Sequence, residues 1–335
     1  MSAVDSRNAW VDVLRGLAAS AVVLFHFNVI PYQGTPEAFT AVWRAFWGLG
    51  HLGVPVFFVL SGYCIALAWI RADDWRGFAW RRARRILPPY YASLLVIGVL
   101  AVSFKLTRGV NDVASLPTTP KAVLATLTLT TAPVTSVPTL NWVYWSLSYE
   151  VAFYVLMGLL LLLPVGRRHL ALAALHLFMC GFSALRLPVF FFTDLWPLFG
   201  AGTALALWPG NRGVAVTMLV GNVLHAAARA VVGADELEYL LAGGAAVGLL
   251  VLSGRRRFPA WLERLRRLGI FSYSLYLIHV PVGCYGLLRL LPTTFPSDVM
   301  FIFLQSLVFA GTLGCSYVFY LACERPFMGG AKAVR

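Results

Sequence analysis

Apolar runs of about twenty residues recur along the whole chain, and an α-helix needs a run of that length to cross the hydrocarbon of a bilayer. Short connections rich in arginine separate them. A bilayer leaves no water to satisfy a backbone, so spanning segments must be helices or a closed barrel, and unbroken apolar runs fit helices. Composition agrees. Of 335 residues, 59% are hydrophobic and only 12% charged, and mean hydropathy is +0.76. A soluble domain carries about 25% charged residues. The expected fold is all-α, a polytopic membrane protein.

The runs place about ten spanning helices, near 10–30, 51–70, 87–104, 142–163, 169–187, 190–208, 213–232, 237–253, 268–291 and 299–323. The fifth and sixth meet at Pro188, where a partly re-entrant pair is the alternative. With the N-terminus in the cytoplasm, 20 of the Lys and Arg residues fall on that side and seven on the other. That asymmetry puts both termini in the cytoplasm. The first ten residues are polar, and the first run reads as a signal anchor rather than a cleaved leader. A multi-pass protein of the cell inner (cytoplasmic) membrane is expected. It would be one membrane-embedded domain over 1–335, with no appended soluble domain and no internal repeat. The long connection 105–141, rich in Thr and Pro, is expected outside, with a short helix near 121–130.

A net charge of +13 would suggest nucleic acid in a soluble protein. Here the basic residues flank membrane spans, so no nucleic-acid partner is expected; membrane lipids are. Cys64, Cys180, Cys284, Cys315 and Cys323 all lie in apolar segments, odd in number and without ligand spacing. They read as small apolar fillers, with neither disulfide nor metal.

Ionisable residues inside the runs carry more information, since each is costly at depth. "VDVLRGLAASAVVLFHFNVI" holds Arg15 and His26. Eleven residues apart on a helix, they share a face to within about 20° and lie about 16 Å apart along the axis. "NWVYWSLSYEVAFYVL" sets Ser146, Glu150 and Tyr154 in one stripe, with Ser148 beside it. Glu150 must be neutral or paired across helices, with Arg15, His26 or His279 as expected partners. "FSYSLYLIHVPV" aligns Ser272, Tyr276 and His279, and "LGVPVFFVLSGYCIA" offers Ser61 among close-packing glycines. Such a set reads either as a functional cavity or as ion-pair glue. "RADDWRGFAWRRARRILPPYY" crowds Arg81, Arg82, Arg84 and Arg85 before Pro88 and Pro89. It reads as an anchor for anionic headgroups, or as a clamp for a polyphosphate ligand, which guanidinium forks grip. The basic stretch 255–267 reads as an interfacial amphipathic helix.

Together these stretches, with a closing "ERPF" at 324–327, resemble acyltransferase family 3, the bacterial integral-membrane O-acyltransferases. Six motifs fall in family order along nearly the whole chain, although Pro55 stands where many members carry an acid. The resemblance implies transfer of a short acyl group, acetyl from acetyl-CoA above all, to a hydroxyl of a carbohydrate or a glycosylated small molecule, without metal. It makes Arg15 and His26 the signature pair, Glu150 the acidic position, and Arg81, Arg82, Arg84 and Arg85 the acyl-CoA site. His26 is then expected as general base, and Glu150 as its orienter or as a group holding the acceptor. Arg15 would hold the donor or pair with Glu150. Ser61, Ser148, Tyr154, Tyr276 and His279 are expected to line the substrate path. Outward apolar faces leave two readings open, packing against a second copy of the chain as a homo-oligomer or against lipid alone. The rival class is a proton-coupled transporter using the same Arg/His/Glu cluster, which would call for internal repeats or paired broken helices. A lipid-binding scaffold without turnover is the third class.

Overall fold

Every regular element among the described residues is helical. The computed structural model describes residues 3–29, 38–109, 116–185, 190–231, 237–253, 258–292 and 294–328. In chain order the helices are α1 (Ala3–Val29), α2 (Ala38–Gly48), α3 (Gly53–Ile70), α4 (Trp75–Arg108), α5 (Pro120–Leu127), α6 (Trp145–Leu160) and α7 (Val165–Ala184). They continue as α8 (Trp196–Leu207), α9 (Arg212–Val231), α10 (Leu237–Ser253), α11 (Glu263–Ile270), α12 (Ser272–Ile278) and α13 (Asp298–Phe319). A π-helical stretch, His279–Leu287, prolongs α12. The short helix expected near 121–130 is α5.

Among the described residues, six helical stretches are long and apolar enough to cross a bilayer, at 9–29, 39–70, 75–107, 142–160, 212–231 and 298–327. A seventh follows if the bent pair 260–270 and 272–290 counts as one span. The other expected spans differ for physical reasons. At 12 residues, α8 reaches only about 18 Å, short of the roughly 30 Å hydrocarbon thickness. The apolar stretch of α10 is also short, and α7 is long enough but too polar.

The start of α4 also departs from expectation. Asp74 caps its N-terminus, Oδ1 accepting the Gly77 N–H at 2.6 Å, so the helix begins at Trp75 rather than near 87. Pro88 and Pro89 then lie inside it, removing the donors that would meet the carbonyls of Arg84 and Arg85. With 34 residues, α4 is about 50 Å long, some 20 Å more than a bilayer core requires. That surplus equals the turns that carry the four arginines.

The chain divides into two compact units. The first comprises Met1–Arg15, Leu52–Arg82 and Ser146–Arg266. Its centre is α8, apolar on all sides and enclosed by α3, α7, α9 and α10. Helices α3 and α8 cross so closely that a Cβ at Gly62 would strike the Phe199 carbonyl, and one at Gly202 the Val59 carbonyl. Glycine permits the crossing, and the Thr203 hydroxyl then donates to the Gly62 carbonyl at 3.3 Å. On α6, Phe153 stacks on Phe199 at 4.6 Å and 17°.

The second unit comprises Gly16–His51, Ala83–Trp145 and Arg267–Arg335. Here α5 docks on α4 through two tyrosines, Tyr90 to the Thr126 carbonyl at 2.6 Å and Tyr91 to the Leu127 carbonyl at 3.1 Å. The start of α12 is capped from far along the chain: buried Glu324 accepts the Ser274 N–H at 3.1 Å and its hydroxyl at 2.5 Å. The N–H is one of the orphan donors at a helix start, which a carboxylate satisfies. Further on, Pro281 leaves the Leu277 carbonyl without its helical donor, and the Asn141 side chain supplies one at 3.2 Å.

Candidate active site

His26 lies on the last turn of α1, half-buried, and His279 opens the π-helical stretch, fully buried. A π-helical turn in an α-helix is a frequent mark of a functional site. Nδ1 of His279 faces two backbone carbonyls, Tyr276 at 2.8 Å and Leu275 at 3.1 Å. Carbonyls only accept, so Nδ1 carries the proton and Nε2 of a neutral ring is bare. That Nε2 lies 3.0 Å from His26 Nδ1. His26 must therefore donate from Nδ1, which leaves its own Nε2 as a lone pair. The assignment follows from hydrogen-bond logic, as tautomers must. The result is a half-exposed imidazole, fixed in rotation, offering a base. A third group that orients the base is the arrangement that hydrolytic triads use, here with histidine in place of the acid.

Aromatic rings continue the column. His26 lies 5.4 Å from the Trp142 ring at 30°, and Trp142 lies 6.3 Å from Tyr285 at 33°. Phe25 packs between His26 and His51. Tyr276, expected to meet substrate, donates its hydroxyl to the Val143 carbonyl, tying α12 to the segment before α6.

In the first unit, Glu150 is approached by hydroxyls rather than by the cation expected from the sequence. Its Oε1 accepts from Tyr154 at 2.5 Å, one turn along α6, and from Ser61 of α3 at 3.2 Å. Above the Tyr154 ring sits the Arg82 guanidinium, 5.9 Å from its centroid. Arg82, Tyr154, Glu150 and Ser61 thus form one connected polar path from the basic turn of α4 to the intramembrane carboxylate. Of the other arginines, Arg81 folds back over Gly77 and Arg84 is exposed, while Arg85 is half-buried. Arg15 is half-buried on α1, and Ser148 is buried on α6. Of the basic stretch 255–267, Arg255, Arg256 and Arg257 lie outside the described residues.

Sequence reasoning missed Asn141, Trp142 and Glu324 as parts that build the histidine pair. An Asn just before an aromatic-rich span, and an acid just before the final Arg-Pro, were the signals. Among the described residues, no three His, Cys, Asp or Glu side chains group closely enough to hold a metal ion.

A histidine held by a second histidine, in a helical membrane chain with a basic turn, suits a membrane-bound group-transfer enzyme. The family model described as "Acyltransferase domain", that of acyltransferase family 3, matches residues 8–321. The chain belongs to that family and is an acyltransferase of the O-acetyltransferase type. It is similar to a protein named as a membrane-bound transacylase, BcsY of Komagataeibacter xylinus, with 27% identity over 304 residues, 82% of this chain and 73% of that one. It is similar to the peptidoglycan O-acetyltransferase OatA of Listeria monocytogenes, with 32% identity over 102 residues, 28% of this chain and 14% of that one. An O-acetyl transferase of Shigella phage Sf6 shares 36% over 77 residues, 23% of this chain and 22% of that one. No solved structure matches.

Proposed function

We propose that this protein moves a short acyl group, acetyl above all, from acyl-CoA to a hydroxyl of a carbohydrate or glycosylated small molecule. The observation that carries the reading is the bare Nε2 of His26, set by His279. In the reaction the acceptor hydroxyl gives its proton to that nitrogen as its oxygen attacks the thioester carbonyl. The tetrahedral intermediate collapses, the C–S bond breaks, and the departing CoA thiolate takes the proton back from His26. Protons balance within one turnover. General base catalysis of this kind contributes about 10²- to 10⁴-fold.

Arg81, Arg82, Arg84 and Arg85 hold the phosphates of CoA, and Arg15, about 16 Å below His26 on the same helix, guides the pantetheine arm. Glu150, with Ser61 and Tyr154 hydrogen-bonded to it, joins them as a substrate-contacting group. The excess of arginine and lysine on one side supports cytoplasmic termini and residence in the inner membrane. Peptidoglycan in the name of one relative supports a saccharide acceptor.

The test is release of free thiol from acetyl-CoA by the purified protein, which needs no acceptor because water can replace it slowly. Wild type cleaves the thioester, and His26→Ala does not. Arg81→Ala/Arg82→Ala loses cleavage at low acetyl-CoA and regains it at high concentration. A wild type that neither cleaves nor binds acetyl-CoA overturns the reading.

A further inference from the structure

The column that starts at the histidine pair does not end there. Trp142 lies beside both His26, at 5.4 Å and 30°, and Tyr285, at 6.3 Å and 33°. Tyr285 is in turn covered by the Arg289 guanidinium, 5.2 Å from its centroid, and Arg289 also caps Phe104 at 5.4 Å. Both contacts fix the far end of the column. Yet Trp142 is 43% exposed, whereas Asn141, Val143 and Tyr144 around it are all buried. A large indole held open beside a base that needs a hydroxyl brought to it has a chemical counterpart: the apolar C–H face of a pyranose ring, whose hydroxyls project at its rim.

We propose that Trp142 and Tyr285 form the stacking platform of a saccharide acceptor subsite, which sets a ring hydroxyl against His26 Nε2. The proposal rests on the acyl-transfer reading above and adds to it where the acceptor sits and what part of it is recognised. Recognition is of the ring face rather than of a particular hydroxyl pattern, because an aromatic plane has no directional polar groups apart from its edge. The acceptor enters from the C-terminal end of α1, the end opposite the α1 turn that holds Arg15. A tryptophan serving only as an interfacial anchor would point to lipid and leave the catalytic base alone; Trp142 packs against that base, ring to ring at 5.4 Å.

The test uses the full chain in detergent with acetyl-CoA held saturating, and adds chitotetraose, cellotetraose or, at equal hydroxyl concentration, glycerol. Thiol release and the mass of the saccharide are followed. In wild type a tetrasaccharide accelerates release and gains an acetyl group, while glycerol does neither. Trp142→Ala raises the half-saturating saccharide concentration by about tenfold, the order of one ring stack, and Trp142→Phe stays within about threefold of wild type. Tyr285→Ala falls between. Trp261→Ala, an exposed indole far along the sequence, leaves the saccharide dependence unchanged.

Equal half-saturation in Trp142→Ala and wild type overturns the proposal, as does acetylation of glycerol as readily as of saccharide. If neither tetrasaccharide is acetylated while acetyl-CoA is still cleaved, the platform falls and the acyl-transfer reading stands. If wild type cleaves no acetyl-CoA under any condition, the reading beneath it has failed instead.

Discussion

His279 cannot reach a substrate proton itself, because its free nitrogen is turned toward His26 and its other nitrogen toward backbone. In the proposed reaction it holds His26 in one tautomer and stabilises the proton that His26 acquires. His279→Ala is therefore expected to lower kcat for acetyl-CoA cleavage by about 10- to 100-fold, short of the full loss in His26→Ala, with KM for acetyl-CoA unmoved. His279→Gln restores part of the loss, since an amide can accept from His26 and donate to the Tyr276 carbonyl at once. A change in KM equal to that in kcat would mark a merely structural role. At the carboxylate, Tyr154→Phe removes the shorter of two donors to Glu150 and leaves the ring beneath Arg82 in place. Its expected effect is a rise in KM for acetyl-CoA of a few fold with the protein fully folded, read from saturation curves. The sequence showed His26, Glu150, Tyr154 and His279 as residues out of place in a bilayer. It could not show that His26 meets His279 across 253 positions, or that Ser61 meets Glu150 across 89, because those contacts come from tertiary packing. Expecting a cation beside Glu150 followed from charge balance alone, and two hydroxyls serve in its place.

Helices here are set by a few residues that act on backbone rather than on side chains. Unbroken apolar runs made the long spans legible, and Thr119 before Pro120 is a readable start for α5, its hydroxyl accepting the Ala122 N–H at 3.2 Å. The double proline misled, because Pro88 and Pro89 read as a boundary while the helix runs through them. In α8 the number of apolar residues suggested a span, but what it reflects is complete enclosure by neighbours. The polar side chains of α7 likewise have partners: His176 meets the Met218 carbonyl at 3.0 Å and Ser183 meets His225 at 2.8 Å, both on α9. Those bonds hold α7 to α9 and explain why α7 tolerates polarity. The tightest constraint is the crossing of α3 and α8. Gly202→Ala forces a methyl into the Val59 carbonyl, a rigid neighbour, so the helices must separate. About 1–3 kcal/mol of destabilisation is expected, seen as a lower midpoint of thermal unfolding in detergent. Gly210→Ala, with open space around its Cβ position, serves as the control and leaves the midpoint in place.

At the scale of the molecule, the proposed reaction brings two substrates of different character to one histidine. Acyl-CoA is a polyanion of the cytoplasm, and on this proposal the acceptor is a saccharide on the far side of the membrane. The basic turn of α4 and the open indole of Trp142 suit these two ligands respectively, and in the proposed orientation α1 carries Arg15 and His26 about 16 Å apart from one side toward the other. This organisation predicts a vectorial reaction. In sealed vesicles neither acetyl-CoA nor a tetrasaccharide crosses the bilayer, so the side of addition is under control. Inside-out vesicles, with the cytoplasmic face outward, should cleave added acetyl-CoA, whereas right-side-out vesicles should not until opened with detergent. Chitotetraose trapped inside the inside-out vesicles should become acetylated from acetyl-CoA added outside, and the same saccharide added outside should not. Acetylation from either side would mean that both ligands enter by the cytoplasmic mouth, and the acceptor would then be a cytoplasmic metabolite. Cleavage by right-side-out vesicles alone would reverse the orientation read from the 20 against seven basic residues, and with it the assignment of the α4 arginines to the donor.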